Sequence, residues 1–176
     1  IFLLTYMNRI AEKILNWFKR KSHIDSSWIN KTRLIELHTI DVSEDPVRPE
    51  IDLEWRKSCD RKIFGLKHGD EILAIVCLAF TNDVPHTIRE LDLMSKVSKY
   101  EKNASIAIAY TVWSRKKGAG KKIMEEVLQY ASKKKFKKVV TLSPLTPMAT
   151  HYHIRNGARL VGLNAETQNF EYKVQK

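Results

Sequence analysis

At 176 residues the chain has room for one domain with a substantial core and little more. An apolar fraction of 43% and a charged fraction of 29% exclude a disordered chain, and sparse glycine and proline with no repeat exclude a solenoid or a low-complexity segment. The net charge of +11 draws in phosphates, acidic proteins, acidic membranes or nucleic acid, although the spacings of helix-turn-helix and zinc-finger modules are absent and disfavour the last.

The opening Ile1 to Leu4 is apolar but too short to span a membrane, and no signal-peptide cleavage site follows it. Asn8 to Arg20 sets Ile10, Ile14, Leu15, Trp17 and Phe18 near helical spacing among basic residues, which predicts a short N-terminal amphipathic helix. That helix docks on the domain or a partner, or makes weak membrane-surface contact. With the linker that follows, it forms a segment over residues 1–27, leaving 28–176 as the folded domain.

Arg33 to Ile40 predicts a strand, and Asp41 to Glu50, with Pro46 and Pro49, a loop. Ile63 to Leu66 and Ile72 to Phe80 flank His68-Gly69-Asp70, an antiparallel hairpin. Pro85 to Lys99 predicts a helix. Ser105 to Val112 predicts a strand with Ile106, Ile108 and Tyr110 on one face and Ala107, Ala109 and Thr111 on the other. Lys121 to Lys134 is the clearest helix, its apolar stripe formed by Ile123, Val127, Leu128 and Ala131. Phe136 to Leu142, a helix over Met148 to Arg155, and strands at Leu160 to Leu163 and Asn169 to Val174 complete an α/β mixed sheet with an antiparallel first half.

Cys59 and Cys77 are far apart, and Cys77 lies in an apolar run. Buried free thiols in a reducing, cytoplasmic setting are the expectation. No metal-ligand spacing is present: His151 and His153 lack convergent carboxylates or thiolates.

The chemistry concentrates after the strand that ends at Val112. Trp113 and Ser114 lead into Arg115-Lys116-Lys117-Gly118-Ala119-Gly120, and the long helix begins at once. Glycines allow close backbone approach, and the first turn of a helix leaves its N–H groups unpaired. Those donors, the helix dipole and the three basic residues suit a pyrophosphate.

This loop resembles the R/Q-x-x-G-x-G/A element by which GNAT acyltransferases hold coenzyme A, and Ala149 to Ala158 resembles the family's second element, A-x-x-x-Y-x-x-x-G-F. The resemblance implies a single GNAT domain that binds acetyl-CoA or another acyl-CoA. Tyr110 and Val112 would pair with the pantetheine arm, and Arg115, Lys116, Lys117, Gly118, Ala119 and Gly120 would hold the pyrophosphate. An acyl group would pass to an amine acceptor, a small molecule or a protein, and His153 would protonate the departing thiolate. Glu90, Asp92 and Glu101 are the acidic candidates for a base.

Asp60-Arg61-Lys62, Leu78 to Thr81, Thr141-Leu142-Ser143-Pro144 and His153 to Ala158 are further similar to segments of malonyl-CoA decarboxylases over about Val47 to Asn164. Those enzymes carry a GNAT-type catalytic domain behind a helical one, and their matching histidine is catalytic. The likeness implies decarboxylation of malonyl-CoA, or of a malonyl carrier protein, as an alternative. It departs at their S-I-S strand, which here reads Ala107-Ile108-Ala109. Thr111 is the hydroxyl expected to substitute, as a catalytic partner of His153, and the two alanines keep a non-catalytic coenzyme-binding domain as a third reading. The basic run Lys133 to Lys135 with Lys137 and Lys138 is a solvated helix end or a docking patch for an acidic acyl carrier protein.

Overall fold

The computed structural model describes residues 27–176. The expected helix over 8–20 and most of its linker lie outside the described residues. The chain divides into two units, residues 1–31 and 32–176. Of the first, only one short turn of 3-10 helix, Ile29–Lys31, is described as regular structure.

The second unit is a mixed α/β domain with an eight-stranded, mainly antiparallel sheet and four α-helices. Strand β1 (Thr32–Leu37) pairs with β2 (Arg61–His68), and β2 with β3 (Glu71–Thr81), both antiparallel. The β2–β3 hairpin turns at Gly69-Asp70, where Gly69 has φ 57°. Glycine adopts that backbone without penalty, as two-residue hairpin loops require. Next comes β4 (Ile106–Ser114), antiparallel to β3 and parallel to β5 (Lys138–Thr141). The short β6 (Ser143–Pro144) and β7 (Arg159–Leu163) both pair with β8 (Thr167–Tyr172), which also borders β5.

Helices cover both faces. On one lie α1 (Leu53–Lys57) and α2 (Ile88–Glu101). Below them Ile63, Ile75, Cys77, Leu91, Ile108 and Tyr110 form a buried cluster against which Trp55 and Ile88 pack. On the other lies α3 (Ala119–Lys133), burying Ile123, Met124, Val127 and Ala131. Met124 thus joins the predicted stripe, and Leu128 is only half-buried. The aromatic contacts on this face include Phe64 with Tyr130 at 4.9 Å and Phe80 stacked on Phe136 at 5.0 Å between ring centroids.

Helix α2 starts later than the sequence predicts because Thr87 caps it. Thr87 Oγ1 accepts the Glu90 amide at 3.1 Å, and Glu90 Oε2 accepts the His86 amide at 2.7 Å. The first contact is one half of a capping box in a T-x-x-E run, and Glu90 reaches one residue further back, to the amide before the cap. Both cysteines are free. Cys77 is buried and its thiol is pushed up to about 11 by that burial, whereas Cys59 is only half-buried, unlike the expectation. Among the described residues no helix is long and apolar enough to cross a membrane.

Candidate functional site

The parallel pair β4–β5 ends early. Ile106 to Ala109 face Lys138 to Thr141 in register, and the Leu142 amide donates to the Ala109 carbonyl at 3.0 Å. Beyond that point the two chains diverge. β4 continues through Tyr110, Thr111 and Val112 to Ser114, with no strand paired to that edge among the described residues. The divergence has a local cause. Ala109 lies opposite Leu78 and Thr111 opposite Cys77, so Tyr110 is an extra residue, a β-bulge that bends its strand. The resulting fork is the wall of a cleft of about 460 Å³, in the size range of small-molecule sites.

The bulge overturns one expectation. Because β3 alternates faces between Cys77 and Leu78, Thr111 shares the face of Cys77, not that of Ala107 and Ala109. The residue is only 4% exposed, and its hydroxyl donates to Asp45 Oδ1 at 2.8 Å. Thr111 and His153 both line the cleft. The inserted residue has turned Thr111 into a support for the acidic group beside it.

Asp45 is the centre of a clamp at the base of the fork. Its carboxylate also accepts the Val47 and Arg48 amides at 2.8 and 3.1 Å and the Arg56 guanidinium at 2.8 Å. Arg56 donates on to the carbonyls of Ile51 and Arg48 at 3.0 and 2.7 Å. So held, Arg48 donates Nε to the Tyr110 carbonyl at 3.0 Å and a terminal nitrogen to the Leu142 carbonyl at 2.9 Å, one on each diverging strand. The sequence predicts a plain loop here. The structure makes it the device that satisfies two carbonyls which the fork removes from sheet pairing.

At the far end of the cleft the chain passes from β4 into α3 through the predicted phosphate loop. Ser114 to Gly118 are exposed, Gly118 is the N-cap at φ 87°, and it makes no side-chain cap hydrogen bond. The helix therefore opens with its amides uncapped by any side chain, and Ser114 and Gly120 line the cleft. Ala119 and Gly120 are buried beneath the turn. Tyr152 lies over this start and donates its hydroxyl to the Gly120 carbonyl at 2.7 Å. A Cβ at position 120 would stand 3.1 Å from the Tyr152 ring, so any side chain there obliges the ring to yield by a few tenths of an ångström. Arg115 bends away to Glu44, with a nitrogen–oxygen distance of 2.6 Å and both side chains about 40% exposed. Lys117 is exposed, and Val112 is half-buried on the free part of β4.

His153 sits on α4 (Pro147–Arg155). Thr146 caps that helix by accepting the Ala149 amide at 3.2 Å, and Pro147 occupies its first turn. The H-x-x-N-G-A run is its stop signal. Gly157, at φ 89°, donates to the Ile154 carbonyl, and Ala158 donates to the His153 carbonyl, each at 3.0 Å. This is the paired bonding of a glycine-terminated helix.

The imidazole is 4% exposed and stacks on Phe170 at 5.1 Å between centroids. Its Nδ1 lies 2.9 Å from Tyr172 Oη and its Nε2 2.9 Å from Ser143 Oγ. Burial lowers its pKa to about 4, so the ring is neutral near pH 7. His153 and Ser143 both line the cleft, as do Tyr110, Thr111 and Val112 of β4.

The acidic candidates for a base do not reach this cleft. Glu90 caps α2, Asp92 bridges Arg61 and Lys96 at 3.0 and 2.6 Å, and Glu101 binds Asn103 at 2.6 Å. Sequence reasoning ranked Tyr152 only as a lesser candidate beside His153, and it missed Asp45, Arg48, Arg56 and Ser143 as site residues. Only Ser143 carried a signal, as the third residue of the T-L-S-P run.

A parallel strand pair that forks beside an uncapped glycine turn frames the cleft. The chain belongs to the acetyltransferase (GNAT) family, whose model matches residues 27–157. Among solved structures it is similar to a Bacillus subtilis acetyltransferase in complex with CoA, with a TM-score of 0.59 and 10% identity over 82% of this chain and 100% of that one. It is also similar to malonyl-CoA decarboxylases. The Agrobacterium vitis enzyme gives a TM-score of 0.56 and 20% identity over 82% of this chain and 42% of that one. The Rhodopseudomonas palustris enzyme gives 0.50 and 25%, over 78% and 38%. The chain thus spans about two fifths of the length of those decarboxylases. Nothing among curated proteins matches it.

Proposed function

We propose that residues 28–176 form an acyltransferase domain that binds acetyl-CoA or another acyl-CoA and passes the acyl group to an amine. The observation that carries this reading is the continuity of one cleft from Ser114 and Gly120 at the uncapped turn to the buried His153–Ser143 pair. The turn presents backbone donors for a diphosphate, with Lys116, Lys117 and Arg115 at its rim. The free edge of β4 at Tyr110 to Val112 offers backbone groups to an extended amide-containing arm, as a missing strand would. The thioester then falls at the closed end, beside Ser143 and His153. An acidic carrier protein is a possible acyl donor in place of free coenzyme, and the run Lys133 to Lys138 is its proposed docking patch.

Calorimetry with CoA and acetyl-CoA tests binding, and thiol release from acetyl-CoA across a panel of primary amines tests transfer. Binding with amine-dependent release is the expected result. No binding of either ligand overturns the proposal, and tight binding without turnover assigns a non-catalytic coenzyme-binding domain.

One observation favours a second reading, decarboxylation of malonyl-CoA. The T-L-S-P and H-x-x-N-G-A segments meet in the structure through the 2.9 Å contact of Ser143 with His153. Loss of carbon dioxide leaves an enolate oxygen that such donors stabilise. Conversion of malonyl-CoA to acetyl-CoA without any amine distinguishes this reading from the first.

A further inference from the structure

A continuous hydrogen-bonded chain closes the inner end of the cleft. Tyr172 Oη lies 2.9 Å from His153 Nδ1, His153 Nε2 lies 2.9 Å from Ser143 Oγ, and Ser143 Oγ donates to Thr141 Oγ1 at 2.9 Å. All four residues are buried, the most exposed of them at 4%. Of the four, only Ser143 and His153 line the cleft.

Each hydroxyl of the chain can donate or accept, so two directions satisfy the geometry, and the His153 tautomer distinguishes them. In the assigned direction the Ser143 proton goes to Thr141, whose Oγ1 also accepts the Phe170 amide at 3.1 Å. His153 Nε2 is then the donor to Ser143 Oγ. In a neutral ring the other nitrogen is bare, so Nδ1 accepts from the Tyr172 hydroxyl. Both imidazole nitrogens are committed within the protein, and burial keeps the ring from holding a second proton near neutrality. His153 has neither a free N–H nor an imidazolium to offer a substrate. Its Nε2–H polarises Ser143 instead, and Ser143 is the hydroxyl at the cleft surface.

We propose that Ser143 is the catalytic hydroxyl that contacts the thioester sulfur, and that His153 and Tyr172 are positioning residues behind it. This assignment rests on the acyl-transfer reading. In the step, the amine lone pair forms the new N–C bond, and the C–S bond breaks with its electron pair passing to sulfur. The proton given up by the nitrogen ends on the sulfur. Meanwhile the Ser143 O–H, turned from Thr141 to the sulfur, stabilises the charge developing there. The His153 Nε2–H holds the serine oxygen throughout and undergoes no net change. Hydrogen-bond donation at a developing charge is a large contributor to catalysis in a water-poor site.

Acetyl-CoA and an amine accepted by the wild type provide the test. Ser143→Ala is expected to lower kcat about 100-fold, with acetyl-CoA dissociation unchanged within about twofold, and Ser143→Thr to restore kcat to within about tenfold of wild type by returning the hydroxyl. Wild-type kcat is expected to show no inflection between about pH 6 and 7, where a directly acting histidine of ordinary pKa titrates.

Turnover that survives Ser143→Ala overturns the assignment alone. Absence of thiol release from the wild type with every amine overturns the transferase reading beneath it. A covalent acetyl group on Ser143, found by mass spectrometry after incubation with acetyl-CoA, overturns it in favour of a nucleophile. Nitrogen-15 NMR of the intact wild type reads the tautomer independently of any variant's folding. A protonated Nε2 with a bare Nδ1 supports the chain as drawn, and the reverse overturns it.

Discussion

Thr111 donates its hydroxyl proton to Asp45 Oδ1 across 2.8 Å of protein interior. A hydrogen bond to a charged acceptor contributes about 1.5–3 kcal/mol. Thr111→Val keeps the shape and removes the donor. It is expected to lower unfolding free energy by about that amount and to leave acyl-transfer kcat within a few-fold of wild type. A collapse of kcat at unchanged stability would return Thr111 to the reaction.

Asp45 itself is a larger liability. Its ion pair with Arg56 is fully shielded from solvent on both sides. Removing one partner of a buried pair leaves an uncompensated charge, which costs about 3–5 kcal/mol. Asp45→Ala should therefore show a much lower urea midpoint. It should also loosen the fork, because Arg48 loses the carboxylate that orients its amide. A midpoint near wild type would show that the clamp bears little of the domain's stability.

His153 makes stability depend on pH. In the unfolded chain the ring titrates near its ordinary 6.5, and in the folded one near 4, because burial disfavours the charged form. Between those values the unfolded state binds a proton that the folded state refuses. The contribution of this group is therefore complete above about pH 6.5, falls as pH drops, and is spent below about pH 4. The full difference is about 3 kcal/mol. Urea titrations of the wild type from pH 7 to 4 should show the slope, and His153→Gln should flatten it. Equal slopes in the two proteins would contradict a buried neutral imidazole.

Gly120 is closely covered, since a Cβ would meet the Tyr152 ring at 3.1 Å. Gly120→Val adds two further carbons to that Cβ and is expected to displace the Tyr152 ring from the start of α3. The expected result is a dissociation constant for CoA raised by about tenfold or more, equivalent to about 1.4 kcal/mol, with far-ultraviolet circular dichroism preserved. Unchanged affinity would detach the turn from coenzyme binding.

Arg115 shares its charge with Glu44 at 2.6 Å on the surface. Exposed pairs of this kind contribute about 1 kcal/mol or less, so Arg115→Ala should weaken CoA binding only a few-fold. Glu44→Ala should tighten it, by removing a competing anion from the mouth of the turn. Both effects should shrink at high salt. Tighter binding on loss of Arg115 would reverse the sign expected for a phosphate-facing cation.

Much of the fold follows from local pattern. The stripe of α3 buries Ile123, Val127 and Ala131, and the apolar runs of β3 and β4 are buried on both faces. The Gly69 turn joins its hairpin as expected. Elements too short to show a period, α1 and β6, are not legible in this way. The glycine loop ahead of α3 could be read because its chemistry is local: a strand end, a turn and a helix start are neighbours in sequence.

The chain's own order of residues thus determined the elements, the turn and the position of His153 on α4. Which groups His153, Thr111 and Asp45 meet was decided only by tertiary structure. One extra residue at Tyr110 reverses the face of all that follows on β4, and strand periodicity is blind to such an insertion. Ser143, His153 and Tyr172 come from three elements and touch only because β8 lies between β5 and β6. Contacts of that kind depend on where the strands pair, and local sequence preference leaves that pairing open.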